Sequence, residues 1–117
     1  MSQVTIYHNP RCSKSRQTLE LLENQGADID IVRYIEEPLS SADVSDLLLL
    51  LNMSARELMR KGEDTYKELN LGNPELSEAQ LVQALADYPR LIERPIVVRD
   101  GKAVIGRPPE KVLELFA

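Results

Sequence analysis

Residues 4–22 read VTIYHNPRCSKSRQTLELL and contain the local signals from which the fold is predicted. The first four of these residues favour β structure and predict a short strand, which ends at an Asn-Pro turn. Ser13 or Ser15 can cap a helix that follows, and Gly26 suits the end of that helix. The sequence therefore places Cys12 at the junction between a strand and a helix.

The rest of the chain extends this opening into an α/β fold. Residues 30–34 predict a second strand, so the chain opens as a βαβ unit with a parallel pair. Residues from about 38 to 88 predict a helical insertion, with capping-box patterns that begin at Ser54 and Ser77. Two further strands around Asp100-Gly101 predict a hairpin, and a last helix follows Pro108 and Pro109. We expect a single thioredoxin-like domain over residues 1–117 with a four-stranded mixed sheet and a C-terminal ββα unit.

Composition narrows the classes of function. The formal charge of −5 and the absence of tryptophan argue against a nucleic-acid binder, and no apolar run reaches the length of a membrane span. The N-terminus lacks the apolar core of a secretory signal, so we expect a cytoplasmic protein. One cysteine and one histidine cannot form an intramolecular disulfide or a four-ligand zinc site, and we expect no metal.

The position of Cys12 predicts a reactive thiol. Free N–H groups and the macrodipole at a helix N-terminus stabilise a thiolate, and the same groups can bind a tetrahedral oxyanion. Ser15 lies on the same face of the helix and could donate its hydroxyl to the thiolate. His8 is either a proton donor or electrostatic partner of Cys12, or a residue that braces the turn. Residues 1–16 carry three basic side chains and no acidic one, although the chain is acidic overall.

The run from His8 to Arg16, HNPRCSKSR, resembles the active-site signature of the glutaredoxin-linked arsenate reductase family. The resemblance extends over nearly the whole chain. Arg60, Arg94 and Arg107 stand where that family places three arginines that bind the anion. Paired guanidinium groups suit an oxyanion that carries about two negative charges near pH 7. Thioredoxin-like folds also place a cis-proline beside the reactive cysteine, and the sequence leaves the isomer of Pro95 open.

This resemblance implies a mechanism with Cys12, His8 and Ser15 as catalytic residues. The thiolate would attack arsenate and form a thiol-arsenate adduct, glutathione would attack the arsenic, and glutaredoxin would complete the reduction to arsenite. No tightly bound cofactor is implied, because glutathione is a reducing co-substrate. The implied partners are arsenate or a similar oxyanion, glutathione and glutaredoxin, and the implied role is arsenic detoxification.

Two other functions fit the same residues. A glutathione-dependent thiol-disulfide oxidoreductase would use Cys12 to form a mixed disulfide with another substrate. A non-enzymatic regulatory binding protein of the same superfamily would keep its partner after Cys12 is removed. The chain also differs from well-established family members, which commonly have Gly-Thr where this sequence has Ser13-Lys14.

Overall fold

The computed structural model describes residues 3–116, and a four-stranded sheet organises the first of two compact units in this range. Its strands are β1 (Gln3–Tyr7), β2 (Asp28–Val32), β3 (Ile96–Arg99) and β4 (Lys102–Ile105), in the order β2-β1-β3-β4. Strand β1 pairs in parallel with β2 and antiparallel with β3, and β3 pairs antiparallel with β4. The predicted thioredoxin-like mixed sheet is confirmed.

Helix α1 (Ser13–Asn24) connects the two parallel strands and packs on the sheet. The aliphatic core of this unit joins one buried residue of α1 to residues of the sheet and of a C-terminal 3₁₀ helix (Pro109–Phe116). These core residues are Val4, Ile6, Leu22, Val97 and Val112. Because α1 is held by this core, its N-terminus has a fixed place at the end of β1, where Cys12 lies.

The second unit comprises Pro38–Glu93, and its regular elements are helices joined by turns and loops. It contains α2 (Ser41–Leu51), α3 (Ala55–Leu58), α4 (Asp64–Glu68), α5 (Glu78–Asp87) and a short 3₁₀ helix (Pro89–Leu91). Ser54 and Ser77 form capping boxes at α3 and α5, as their sequence patterns predict, and Ser40 forms a further one at α2. This unit runs from Pro38 to Glu93, whereas the sequence predicts an insertion over about 38–88. That residues 1–117 form a single domain stays a prediction.

Several predicted boundaries are wrong for identifiable reasons. Strand β2 begins and ends two residues earlier than predicted. Its acidic residues are exposed at the edge of the sheet, so the pattern of apolar residues does not indicate where the strand begins. The N-cap of α1 is Cys12, not Ser13 or Ser15, and its side chain makes no capping hydrogen bond. The last helix is a 3₁₀ helix that contacts both α1 and β4. Within residues 3–116, no helix is long and apolar enough to cross a membrane.

Candidate active site

The loop between β1 and α1 is fixed by hydrogen bonds that centre on Asn9. The Asn9 carbonyl accepts from the Cys12 backbone N–H at 3.0 Å, and its side-chain Oδ1 accepts from the Arg11 N–H at 3.1 Å. The Asn9 N–H in turn donates to the Ser15 hydroxyl at 3.1 Å. Arg16 donates from Nη1 to the carbonyl of Pro10 at 2.9 Å. Together these bonds hold the loop in a tight turn that presents Cys12 at the helix N-terminus.

The electrostatic surroundings of Cys12 favour its ionised form. Burial acts most strongly and on its own would raise the pKa of this thiol, which is 9% exposed. The backbone N–H of Ser15, the charge of Arg94, the backbone N–H of Lys14 and a hydrogen bond from Arg94 act in the opposite direction. Their sum lowers the pKa of Cys12 below its ordinary value. The site therefore stabilises a nucleophilic thiolate.

Arg94 and Arg107 meet at this thiol. The Arg107 Nη2 lies 3.9 Å from the Cys12 Sγ, while its Nε donates to the carbonyl of Arg94 at 2.7 Å. Arg94 and Arg107 each precede a proline in a cis peptide bond, which answers the question that the sequence left open for Pro95. Two guanidinium groups and two backbone N–H groups thus converge on one sulfur. This arrangement can bind an oxyanion beside the Cys12 sulfur.

His8 and Ser15 are buried polar residues of the unit that contains the sheet. Burial, followed by the charges of Arg33 and Arg16, lowers the pKa of His8, so its imidazole is neutral near pH 7 and adds no positive charge. Among the described residues its Nδ1 has no hydrogen-bond partner. The backbone N–H of Ser15 stabilises the thiolate, while the Ser15 hydroxyl accepts a hydrogen bond from the Asn9 N–H. Direct catalytic roles for the His8 imidazole and the Ser15 hydroxyl stay predictions.

Arg60 belongs to the helical unit and has carboxylate partners there. Its guanidinium forms a salt bridge with Glu63 and a second one with Glu93, in which Nε lies 3.5 Å from the carboxylate oxygen. Its backbone N–H donates to the Leu91 carbonyl at 2.7 Å. The role of Arg60 in anion binding therefore stays a prediction that rests on the resemblance.

Sequence reasoning missed two features of the loop. The bond from Arg16 to the Pro10 carbonyl joins residues six positions apart and matches no helical spacing rule. The bond from Asn9 to the Ser15 hydroxyl likewise requires the turn to bring loop and helix together. A polar residue near a helix start, such as Ser15, is usually interpreted as an N-cap. A hydrogen bond from the loop to its hydroxyl is therefore not expected from the sequence.

The lowered pKa of Cys12 predicts that this thiol reacts at a lower pH in the folded protein than in the unfolded one. We expect alkylation by iodoacetamide to reach half its maximal rate at a lower pH for the native protein than for the same protein unfolded in urea. The physical reason is that only the thiolate reacts, and unfolding removes the amides and arginines that stabilise it. Because Cys12 is the sole cysteine, the rate reports on this site alone. A native midpoint equal to or above the unfolded one would contradict the described electrostatics.

The fold and the site are those of a thioredoxin-like protein with one activated cysteine at a helix N-terminus, faced by two arginines. Residues 7–115 match the model of the ArsC family. The chain belongs to the ArsC family.

Individual relatives cover nearly all of the chain. It is 61% identical over 114 residues to "Uncharacterized protein YfgD" of Escherichia coli, with 97% of this chain and 96% of that protein covered. It is 47% identical over 113 residues to "Arsenate reductase" of Neisseria meningitidis, with 96% and 97% covered. The solved structure "Arsenate reductase from Vibrio cholerae" superposes with a TM-score of 0.95 at 51% identity and covers 97% of this chain and 98% of that one.

Proposed function

We propose that this protein is an arsenate reductase that works through Cys12 and takes its electrons from glutathione and glutaredoxin. The observation that carries the proposal is the convergence of two backbone N–H groups, Arg94 and Arg107 on the Cys12 sulfur. These groups favour a thiolate and also suit a bound oxyanion, which are the two requirements of the first step. Membership of the ArsC family and the names of the relatives point to arsenate as that oxyanion.

The proposed reaction begins when the thiolate attacks arsenic. An S–As bond forms, an As–O bond breaks, and the departing oxygen takes up protons and leaves as water. Glutathione then attacks the arsenic and replaces a second oxygen. The glutaredoxin thiol then attacks the glutathione sulfur and forms a mixed disulfide. The As–S bond to glutathione breaks, and its electron pair reduces As(V) to As(III). Water attacks the As(III) centre, the S–As bond to Cys12 breaks, arsenite leaves and Cys12 returns as a thiol, so one cysteine in this chain suffices.

The arginines would compensate the charge of the substrate. Arsenate brings about two negative charges to a site that also holds a thiolate, and two helix amides leave most of that charge unbalanced. Arg94 and Arg107 already contact or face the sulfur. We assign Arg60 the same kind of role by family resemblance, with Glu63 and Glu93 as its partners when no anion is bound.

The proposal includes no tightly bound cofactor and places the protein in the cytoplasm. A cytoplasmic reducing environment keeps a lone catalytic thiol reduced and supplies glutathione. His8 and Ser15 are assigned to the catalytic group, His8 as a neutral imidazole and Ser15 through its amide and hydroxyl.

A test of the reductants separates this proposal from its alternatives. We expect arsenite to form when the protein, arsenate, glutathione and glutaredoxin are all present, and its formation to stop when either reductant is omitted. Arsenite would be measured by chromatography with arsenic-specific detection. Equal arsenite formation without glutaredoxin would contradict its role in the last step.

Two outcomes would favour the other functions. Rapid reduction of a glutathione mixed disulfide without arsenite formation would assign the protein to the thiol-disulfide oxidoreductases. A partner protein that binds equally well after Cys12→Ala, with no turnover of arsenate, would support a regulatory binding protein.

A further inference from the structure

Gly106 is buried at the end of β4, immediately before Arg107. A Cβ atom at this position would lie 2.7 Å from the Thr18 Oγ1, 2.9 Å from the Pro95 Cγ and 3.2 Å from the Thr18 Cγ2. Its φ lies outside the left-handed region, so the backbone itself would accept alanine. Glycine is required here for space rather than for conformation.

The neighbours of Gly106 cannot easily move away. Thr18 is fully buried in α1, and its hydroxyl donates to the Lys14 carbonyl at 2.8 Å. Its β-branched side chain has little rotational freedom in a helix. The Pro95 ring is closed, and the Pro95 carbonyl accepts from the Gly106 N–H at 2.9 Å. An added methyl group would therefore displace backbone rather than the tip of a flexible side chain.

Three parts of the active site meet at this contact. Thr18 lies one turn beyond Lys14, whose N–H acts on the Cys12 thiolate. Pro95 directly follows Arg94. Gly106 directly precedes Arg107, which bonds to the Arg94 carbonyl and reaches towards the sulfur. Gly106 therefore contacts α1, which carries Cys12, and the residue next to Arg94, and it is bonded in sequence to Arg107.

We propose that Gly106 is a positioning residue: its missing side chain lets the segments that carry Arg94 and Arg107 pack directly against α1, and this contact holds both guanidinium groups at Cys12. The inference rests on the part of the proposed function that assigns these arginines to the thiolate. It does not depend on arsenate as the substrate.

The test is the pH profile of Cys12 alkylation by iodoacetamide in Gly106→Ala. We expect its midpoint to rise by about half a pH unit or more, because Arg94, whose charge and hydrogen bond lower the pKa of the thiol, moves away from the sulfur together with Arg107. A merely structural role would lower the thermal midpoint of unfolding and leave the pKa of Cys12 in the folded protein unchanged. No oxyanion is present, so failure of this test and failure of the arsenate proposal are separate results.

Gly62→Ala is the matched control, because its Cβ would meet no atom within 4 Å and its φ is not positive. This variant should keep the wild-type midpoint. If Gly106→Ala does not fold, Thr18→Ala/Gly106→Ala is compared with Thr18→Ala. The double variant removes the two Thr18 contacts and retains the one with Pro95, so its midpoint should still exceed that of Thr18→Ala. An unchanged midpoint in the folded single variant, or in the double variant relative to Thr18→Ala, overturns the proposal.

Discussion

Arsenite formation is expected to fall at least 10³-fold or so when Cys12 is replaced by serine, the order of loss seen when a covalent nucleophile is removed. A serine hydroxyl does not ionise under conditions in which this thiol does, because the amides of Lys14 and Ser15 and the charge of Arg94 act on a group whose intrinsic pKa is far higher. The reaction would lose its first bond-forming step. The measurement is arsenite formed per protein in the presence of glutathione and glutaredoxin.

The structure provides an internal control for Cys12→Ser. Cys12 is the N-cap of α1 and makes no capping hydrogen bond through its side chain, whereas serine is among the best N-cap residues. The new cap offsets the loss of the stabilised thiolate, so the free energy of unfolding should stay within about 1 kcal/mol of the wild-type value. A stable variant without turnover locates the loss in the chemistry. Turnover that persists in a fully folded Cys12→Ser would contradict the role of Cys12.

Replacing Arg107 with alanine is expected to lower kcat/KM for arsenate by about 10²- to 10³-fold, the usual loss for one well-placed electrostatic group. Arg107 binds the Arg94 carbonyl through Nε while its Nη2 lies 3.9 Å from the sulfur, so one side chain both faces the nucleophile and braces the second arginine. Arg107→Lys keeps the charge and loses the planar fork that makes both contacts. It should recover only part of the activity.

Arg90→Ala is the matched control for the change in net charge, because Arg90 is exposed and lies in the helical unit. It should change kcat/KM by less than about twofold, as expected for a screened surface charge. The account of the anion site would be wrong if Arg107→Ala retained kcat/KM within that range. An equal loss in Arg90→Ala would show that net charge, rather than position, governs the effect.

The sequence carried enough information to place Cys12. A β-favouring run, an Asn-Pro turn and an apolar helical stripe are local signals, and they located the strand, the loop and the helix around the cysteine. The hairpin followed from Asp100-Gly101, where both residues have the positive φ that a tight turn requires. The position of Cys12 could therefore be predicted from local sequence signals, and the candidate arginines could be named from the family resemblance.

The features that sequence did not yield depend on tertiary packing. Strand β2 is an edge strand in which Ile31 is exposed, so apolar residues did not mark its ends. Helix α4 is a single short turn without a hydrophobic stripe. The space restriction at Gly106 exists only because Thr18 and Pro95, far apart along the chain, meet there. The neutral His8 likewise follows from burial and from Arg33 on another segment.

Whether this protein reduces arsenate, as we propose, is decided by arsenate-dependent oxidation of NADPH. The assay couples the purified protein to glutathione, glutaredoxin and glutathione reductase, with arsenite measured in the same samples. We expect NADPH oxidation that saturates with arsenate and yields one arsenite for each NADPH consumed. No arsenate-dependent oxidation by folded protein, with Cys12 shown by alkylation to be reduced, would contradict the claim.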